Sequence, residues 1–451
     1  MRRILFSLFT LSFSISNAQS WVNVGGGVTG ETVLALYPYH GLLYAGGVFY
    51  MANGKPMNYI GTWDGTKWDT LGEGITQITP GSTREGVVSI LGYDSILYVG
   101  GQFDSAENMQ TRSIAQWNGT SWDSLDMGIT NIHGQNVDAL AFYKGKLYAS
   151  GNFSSYGSGI INFAIWNGSK WDSVPGANMV AYSMVVFNGY LYVAGAFNMA
   201  SGVHVNNIAK WDGTKWDSLG NGITGAGYVS SLCVCNNKLY AGGSFSKAGG
   251  SPANNIAVWD GSNWSTLGLG TDADIEALVS FNGILYAGGV FSNAGGTPAN
   301  EIAEWDGLSW FPIGAGFQGG TFGVQTLAFY DSVLYAGGGF TKSGSTSLNY
   351  IAQWNGPLGV NEVQGNREQV LVFPNPSEGK FTFQLGISNE QLGIKNTVEI
   401  YNELGQKVYS QFSILNPQFS IDISNQPSGI YFYRVTTQQG ELVGSGKLTI
   451  E

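Results

Sequence analysis

The chain has 451 residues, a net charge of −11, 11% charged residues, 14% aromatic residues and 67 glycines. Low charge with many aromatics excludes a disordered tail, and the lack of a three-residue glycine period excludes collagen. Sparse charge argues against a long coiled coil, and with no stripe of Lys and Arg to replace counterions on phosphate, nucleic acid is not an expected partner.

Residues 1–18 open Met1-Arg2-Arg3, run apolar from Ile4 to Ile15 and end Ser16-Asn17-Ala18. A basic start, a short apolar stretch and a small residue at the cut predict a secretory signal peptide. It is too short to span a bilayer as a stable helix. No later apolar run approaches 18 residues, so the mature chain is expected to be exported without a transmembrane segment.

From Trp21 onward the chain repeats. Leu-Tyr-Ala-Gly-Gly begins at Leu43, Leu239, Leu285 and Leu334, with variants at Leu97, Leu147 and Leu191. Trp-Asp/Asn-Gly begins at Trp63, Trp117, Trp166, Trp211, Trp259, Trp305 and Trp354, and a second Trp follows five residues later from Trp68 to Trp310. The period is 44 to 54 residues. Alternating apolar runs broken by Asn-Gly and Asp-Gly turns predict four strands per repeat. The seventh repeat stops at Gly356 without its fourth strand, while Trp21-Val22-Asn23-Val24 is a fourth strand with nothing before it. Pairing the two removes both exposed edges. The expected fold is all-β: a seven-bladed β-propeller over 19–356, closed by the N-terminal strand.

A Gly-Gly pair after an apolar strand, then an aromatic before Asp, then a Trp, resembles the kelch repeat. The fuller pattern, Leu285-Tyr-Ala-Gly-Gly-Val-Phe through Ile302-Ala-Glu-Trp-Asp-Gly, is similar to propeller repeats of fungal cortical polarity-marker proteins. That resemblance implies an extracellular binding or scaffolding propeller and brings no catalytic residues.

Length variation separates scaffold from candidate site. The step from the Leu of Leu-Tyr to the next Trp-Asp/Asn-Gly is 20 residues in six repeats and 19 in one, whereas the step from the second Trp to the next such Leu runs from 20 to 29. Variation therefore concentrates between strand four and the next strand one, at the end shared with the strand two–three loops. Binding residues favour loops on a rigid scaffold, so this long-loop face is the expected functional face. Its candidates are Arg84, Glu85, His133, Phe317 and Phe322 from the connections, and Tyr50, Met51, Tyr156 and His204 from the strand two–three loops. Exposed aromatics beside polar amides suit a glycan or a protein partner.

Catalytic motifs are sparse. The three His fall in no motif, and Cys233 and Cys235 occupy apolar core positions of the repeat, so a galactose-oxidase-like copper site is not expected. A sialidase-like site needs three Arg, and the propeller has Arg84 and Arg112. Asp272, Asp274 and Glu276 alternate at the start of an inner strand. They could ligate Ca²⁺ or take part in glycan hydrolysis with paired carboxylates. Asp138 repeats the acidity at an equivalent position, which favours a solvated channel lining. No metal or cofactor is expected. Asp69-Thr70-Leu71, Asp123-Ser124-Leu125 and Asp217-Ser218-Leu219 resemble the O-glycosylation sequon of some exported bacterial proteins.

After Gly356 the period ends. Residues 357–369 are polar and turn-rich, and read as a linker. Seven short strands are expected beyond it: Val370–Phe373, Lys380–Leu385, Thr397–Asn402, Gln406–Gln411, Phe419–Ile423, Gly429–Thr436 and Glu441–Ile450. They predict a small β-sandwich. Val372-Phe-Pro374-Asn375-Pro376, Gly379-Lys-Phe, Val398-Glu-Ile-Tyr-Asn402, Gly429-Ile-Tyr431-Phe-Tyr-Arg-Val and Lys447-Leu-Thr-Ile together resemble the type A sorting domain of the bacterial type IX secretion system. The resemblance covers residues 370–451. It implies the type IX machinery as a partner and a secreted or cell-surface destination. The expected function is a non-catalytic binding or adhesion module, with a glycan-acting enzyme or a structural surface component as alternatives.

Overall fold

The computed structural model describes residues 19–356 and 370–451, apart from 78–85, 127, 130–134, 156–159, 178, 226, 386–395, 403–405, 415–417 and 438–441. Among the described residues every regular element is a β-strand, and the strands pair antiparallel in small sheets. The chain divides into two compact units between Gly356 and Pro357.

In the first unit each repeat forms one sheet on a four-strand plan; Lys55–Pro56 adds a fifth strand in repeat one, and Trp21–Asn23 supplies the fourth in repeat seven. The sixth is representative: Ile275–Phe281, Ile284–Gly289, Ile302–Trp305 and Trp310–Pro312 pair in chain order. Asn282 and Gly283 both have positive φ (49° and 79°), as a tight two-residue hairpin turn requires. At the second turn the Asp306 carboxylate accepts the backbone N–H groups of Leu308 and Ser309, each at 2.8 Å. The same local bond recurs in repeats one to six and explains why Asp or Asn precedes Gly there.

The Gly-Gly pair has a packing cause. A Cβ on Gly46, Gly242, Gly288 or Gly337 would lie 2.4–2.7 Å from the nearest atom of Val87, Ile275, Val324 or Val33, which lie in the first strand of the following repeat. A Cβ on the second glycine would strike a backbone carbonyl of its own sheet, as Gly289 would meet Asp274 O at 2.1 Å. The pair thus permits close approach both between sheets and within one.

Apolar cores lie between neighbouring sheets. One joins Ala141, Phe163 and Val174 of repeat three to Leu191, Val193 and Trp211 of repeat four, and others join successive pairs in the same way. The last repeat packs on the first: Ala328, Tyr335 and Ile351 share a core with Val33, Leu36 and Trp63. Indole bonds repeat from sheet to sheet. Trp68, Trp122, Trp171, Trp264 and Trp310 donate Nε1–H to Val24, Leu71, Leu125, Leu219 and Leu267 carbonyls at 2.8–3.2 Å. Trp21 makes the same bond to Ile313 O at 3.1 Å, and its strand, Trp21–Asn23, pairs with Ile351–Trp354.

Cys233 and Cys235 are free and buried, as core positions imply, and burial pushes the Cys233 thiol up to about 12.

The second unit has two sheets. Val370–Phe373, Lys380–Leu385 and Gln418–Asp422 form one, and Asn396–Asn402, Lys407–Ile414, Gly429–Thr437 and Leu442–Ile450 form the other. Phe381, Phe383 and Ile421 from the first share a core with Val398, Ile400, Tyr433 and Leu448 from the second. This is sandwich packing, in which alternate residues of each strand face inward.

Candidate functional site

Antiparallel order puts the strand two–three loops and the strand four–one connections at one end of each sheet. Several of the described loops there are small hairpins. Lys247–Ala248 pairs with Ser251–Pro252, and the same hairpin pairs with Ile223–Thr224 of the connection entering its repeat. Ser105–Ala106 and Met109–Gln110 repeat this against Ile75–Gln77, while isolated bridges tie Thr271 to Ala294 and Gln318 to Lys342. Among the described residues these pairings give the hairpins of this end hydrogen-bonded support.

The sequence candidates separate on it. Arg84, Glu85, His133 and Tyr156 lie outside the described residues. His204 is exposed on the hairpin Met199–Ala200/Val203–His204 of repeat four. Phe322 is partly exposed in the connection to repeat seven, where its carbonyl accepts from Gln325 Nε2 at 2.7 Å. Tyr50 is 52% exposed at the end of the long second strand of repeat one. Among the described residues no recorded contact joins these three.

Phe317 corrects an expectation: it is 1% exposed, stacked on Phe340 at 4.1 Å and tilted against Trp21 at 4.6 Å. It cannot present a face to a ligand. The signal was in the period, because Phe317 stands seven residues after the second Trp of its repeat. Val28, Ile75, Ile129 and Ile223 stand at that same step and are all buried.

The acidic trio also divides. Asp272 accepts from Asn293 N and Ser292 N at 2.9 Å and from Asn293 Nδ2 at 2.6 Å, so it fastens a hairpin. Burial works to raise its pKa, and these bonds outweigh burial and lower it. Asp274 and Glu276 instead share one donor: Tyr228 OH lies 3.3 Å from Asp274 Oδ2 and 3.1 Å from Glu276 Oε1. Burial, then the two carboxylates, raise the Tyr228 phenol's pKa, and Tyr182 packs edge-on against its ring. Among the described residues no three His, Cys, Asp or Glu side chains group to hold a metal ion.

In the second unit the motif residues have structural tasks. Asn375 Oδ1 accepts from Thr449 N at 2.9 Å, tying the exit of its first strand to the last strand. Ser377 pairs beside Ile450, and Ser377 N donates to Thr449 O at 3.0 Å. Pro374 and Pro376 flank that tie, Gly429 opens the strand bearing Tyr431, and Lys447 lies opposite Phe432 in register. Tyr431 is buried, with its hydroxyl donating to Pro427 O at 2.8 Å.

Residues 371–451 match the family model of the secretion system C-terminal sorting domain. The second unit is therefore a type IX sorting domain, and the chain is exported by that system to the cell surface or beyond. Among the described residues no helix is long and apolar enough to cross a membrane. No curated protein matches the sequence. Among solved structures, a dimeric latent PorU from Porphyromonas gingivalis has 12% identity over 80% of this chain, with a TM-score of 0.14. The chain spans 32% of that structure's length, and a score so low transfers no fold.

Proposed function

We propose that residues 19–356 form a closed, kelch-like seven-bladed β-propeller that acts outside the cell as a non-catalytic binding module for a glycan or protein. In this proposal residues 1–18 are a signal peptide and 357–369 a linker. Closure is supported by four contacts between the ends of the repeat array. They are the Trp21–Trp354 strand pairing, the Trp21 indole bond to Ile313, the approach of Val33 to Gly337, and Tyr330 OH donating to Gly41 O at 2.9 Å.

The binding role rests on one observation. The long-loop end presents large apolar side chains on hydrogen-bonded supports: Tyr50, Met109, Leu269 (69% exposed), Val290 and Phe322. Contiguous exposed apolar surface marks interaction sites, and in this proposal these side chains supply it. A glycan array and a protein pull-down with the secreted protein test this, beside the variants Tyr50→Ser, Leu269→Ser and Phe322→Ser. Retention of full binding by all three variants refutes the face, and turnover of any polysaccharide refutes the non-catalytic reading.

One observation favours a glycan-acting enzyme instead: Asp274 and Glu276 converge on the Tyr228 hydroxyl. Glycoside hydrolysis uses two carboxylates. Under that reading Glu276→Gln abolishes hydrolysis while leaving glycan binding in place.

A further inference from the structure

At the opposite end, where the short turns lie, the turn after the first strand of repeats one and three lies beside the Trp-Asp/Asn-Gly turn of the next repeat. Between repeats three and four this crevice is filled from within. Lys144 lies over Gly213, and its ammonium donates to Asp212 O at 2.6 Å while sitting 5.3 Å from the Tyr143 ring centroid. A carbonyl oxygen and an aromatic ring face both attract an ammonium group.

Between repeats one and two, two of these four positions hold different residues. His40 stands where Lys144 stands, and Tyr39, Asn118 and Gly119 correspond to Tyr143, Asp212 and Gly213. The His40 ring turns edge-on against Tyr39 at 4.1 Å, and nothing lies within 4 Å of where a Gly119 Cβ would be. The result is an open cleft of about 150 Å³ lined by Tyr39, His40, Tyr44, Ser95, Leu97, Trp117 and Gly119.

The receiving turn is built alike in both places. Asp212 N bonds Lys215 O and Asn118 N bonds Ser121 O, the residue-212 and residue-118 side chains each accept the N–H two residues on, and both glycines have φ of 99°. The Asn118 carbonyl is therefore presented as Asp212 O is. Tyr39 OH also faces the cleft, accepting from Ser95 N at 3.0 Å.

We propose that this cleft receives the side chain of a lysine from a protein partner, its stem along the Tyr39, Tyr44 and Trp117 rings and its ammonium on the Asn118 carbonyl. The occupant is identified by the molecule's own Lys144 in the matching crevice. Lysine stems bury readily on apolar surface while the charged head keeps polar company. The net charge of −11 steers basic partners toward the protein. This site is independent of what binds at the long-loop end.

The test uses the mature secreted protein carrying 5-fluorotryptophan, with the Trp117 resonance assigned through Trp117→Phe. The probe is Nα-acetyl-lysine methylamide. A saturable Trp117 shift is expected, with a dissociation constant on the order of millimolar for one side chain. Acetylating the probe's ε-amine should weaken binding at least tenfold. His40→Lys should abolish the shift by filling the cleft internally, at unchanged melting temperature. Lys144→Ala should open a second site and make Trp211 respond. An unresponsive Trp117, an equal response to the acetylated probe, or undiminished binding by folded His40→Lys each overturns the proposal. A saturable Trp117 shift with a neutral methyl glycoside and none with the lysine probe would overturn it and assign the cleft to sugars instead.

Discussion

Glu301 carries a pH dependence that can be worked out from its neighbours. It stands just before the third strand of repeat six in a left-handed conformation, φ 70°. The corresponding residues of repeats four and five are Asn207 and Asn255. Their amide nitrogens donate to the carbonyls of Ile223 and Thr271 at 3.1 and 2.9 Å, and their amide oxygens accept from Phe197 N and Phe245 N. A carboxylate has no proton to donate. Accordingly Glu301 Oε2 is buried with no partner among the described residues, and burial raises this acid from 4.5 to about 7.

The sign follows from linkage. The folded protein keeps this proton up to about pH 7, while the unfolded chain releases it near 4.5, so stability falls as pH rises between those values. A shift of that size corresponds to about 3.4 kcal/mol at most. Residual solvent contact screens the charge and leaves about 1–2 kcal/mol. Glu301→Gln restores a donor without a charge. It should therefore stabilise the protein by about 1–2 kcal/mol at pH 8 and leave it nearly unchanged at pH 4. For a unit of about 340 residues that is a melting-temperature gain of roughly 1.5–3 °C at pH 8. Thermal unfolding of wild type and variant at half-unit steps from pH 4 to 8 measures it. A gain that does not vary with pH, or superimposable curves, would refute the reasoning.

Trp21→Ala removes a fully buried indole and its bond to Ile313, and should cost about 3–5 kcal/mol in urea unfolding; a loss under 1 kcal/mol would mean that the N-terminal strand does not secure the last sheet. Gly288→Ala drives a methyl to 2.4 Å from Val324 Cγ1, so repacking should cost about 1–3 kcal/mol, and neutrality would contradict the close approach between sheets. With its thiol held near 12, native Cys233 should resist a thiol reagent at pH 8 and react only on unfolding, while rapid native labelling would show an accessible thiolate. Deleting residues 370–451 should leave the remaining chain in the periplasm, and normal surface display of the truncation would remove the sorting role from this unit.

The strand plan was legible because it is local and repeated. Two-residue turns, the Trp pair and Gly-Gly each lie within one period of the chain, and the split seventh repeat announced its own completion by Trp21–Asn23. The sorting unit was legible strand by strand, since alternation in a two-layer sandwich reflects which residues face inward. What lies between repeats was not. Phe317 read as a loop aromatic until its neighbours Phe340 and Trp21 showed it to be core, although its step from Trp310 matched buried Val28 and Ile223. Asp272 and Asp274 look interchangeable in a list of acids, yet one fastens a hairpin of its own repeat and the other meets Tyr228 of the preceding one. The cleft beside Tyr39 is also invisible in the chain, because a His in place of Lys144 at that turn does not by itself say whether the side chain fills the crevice or leaves it open. The amino-acid sequence determined the strands, the repeats and the route out of the cell. Only the tertiary structure decided which side chains stay open to a partner, because that depends on how one repeat packs against the next.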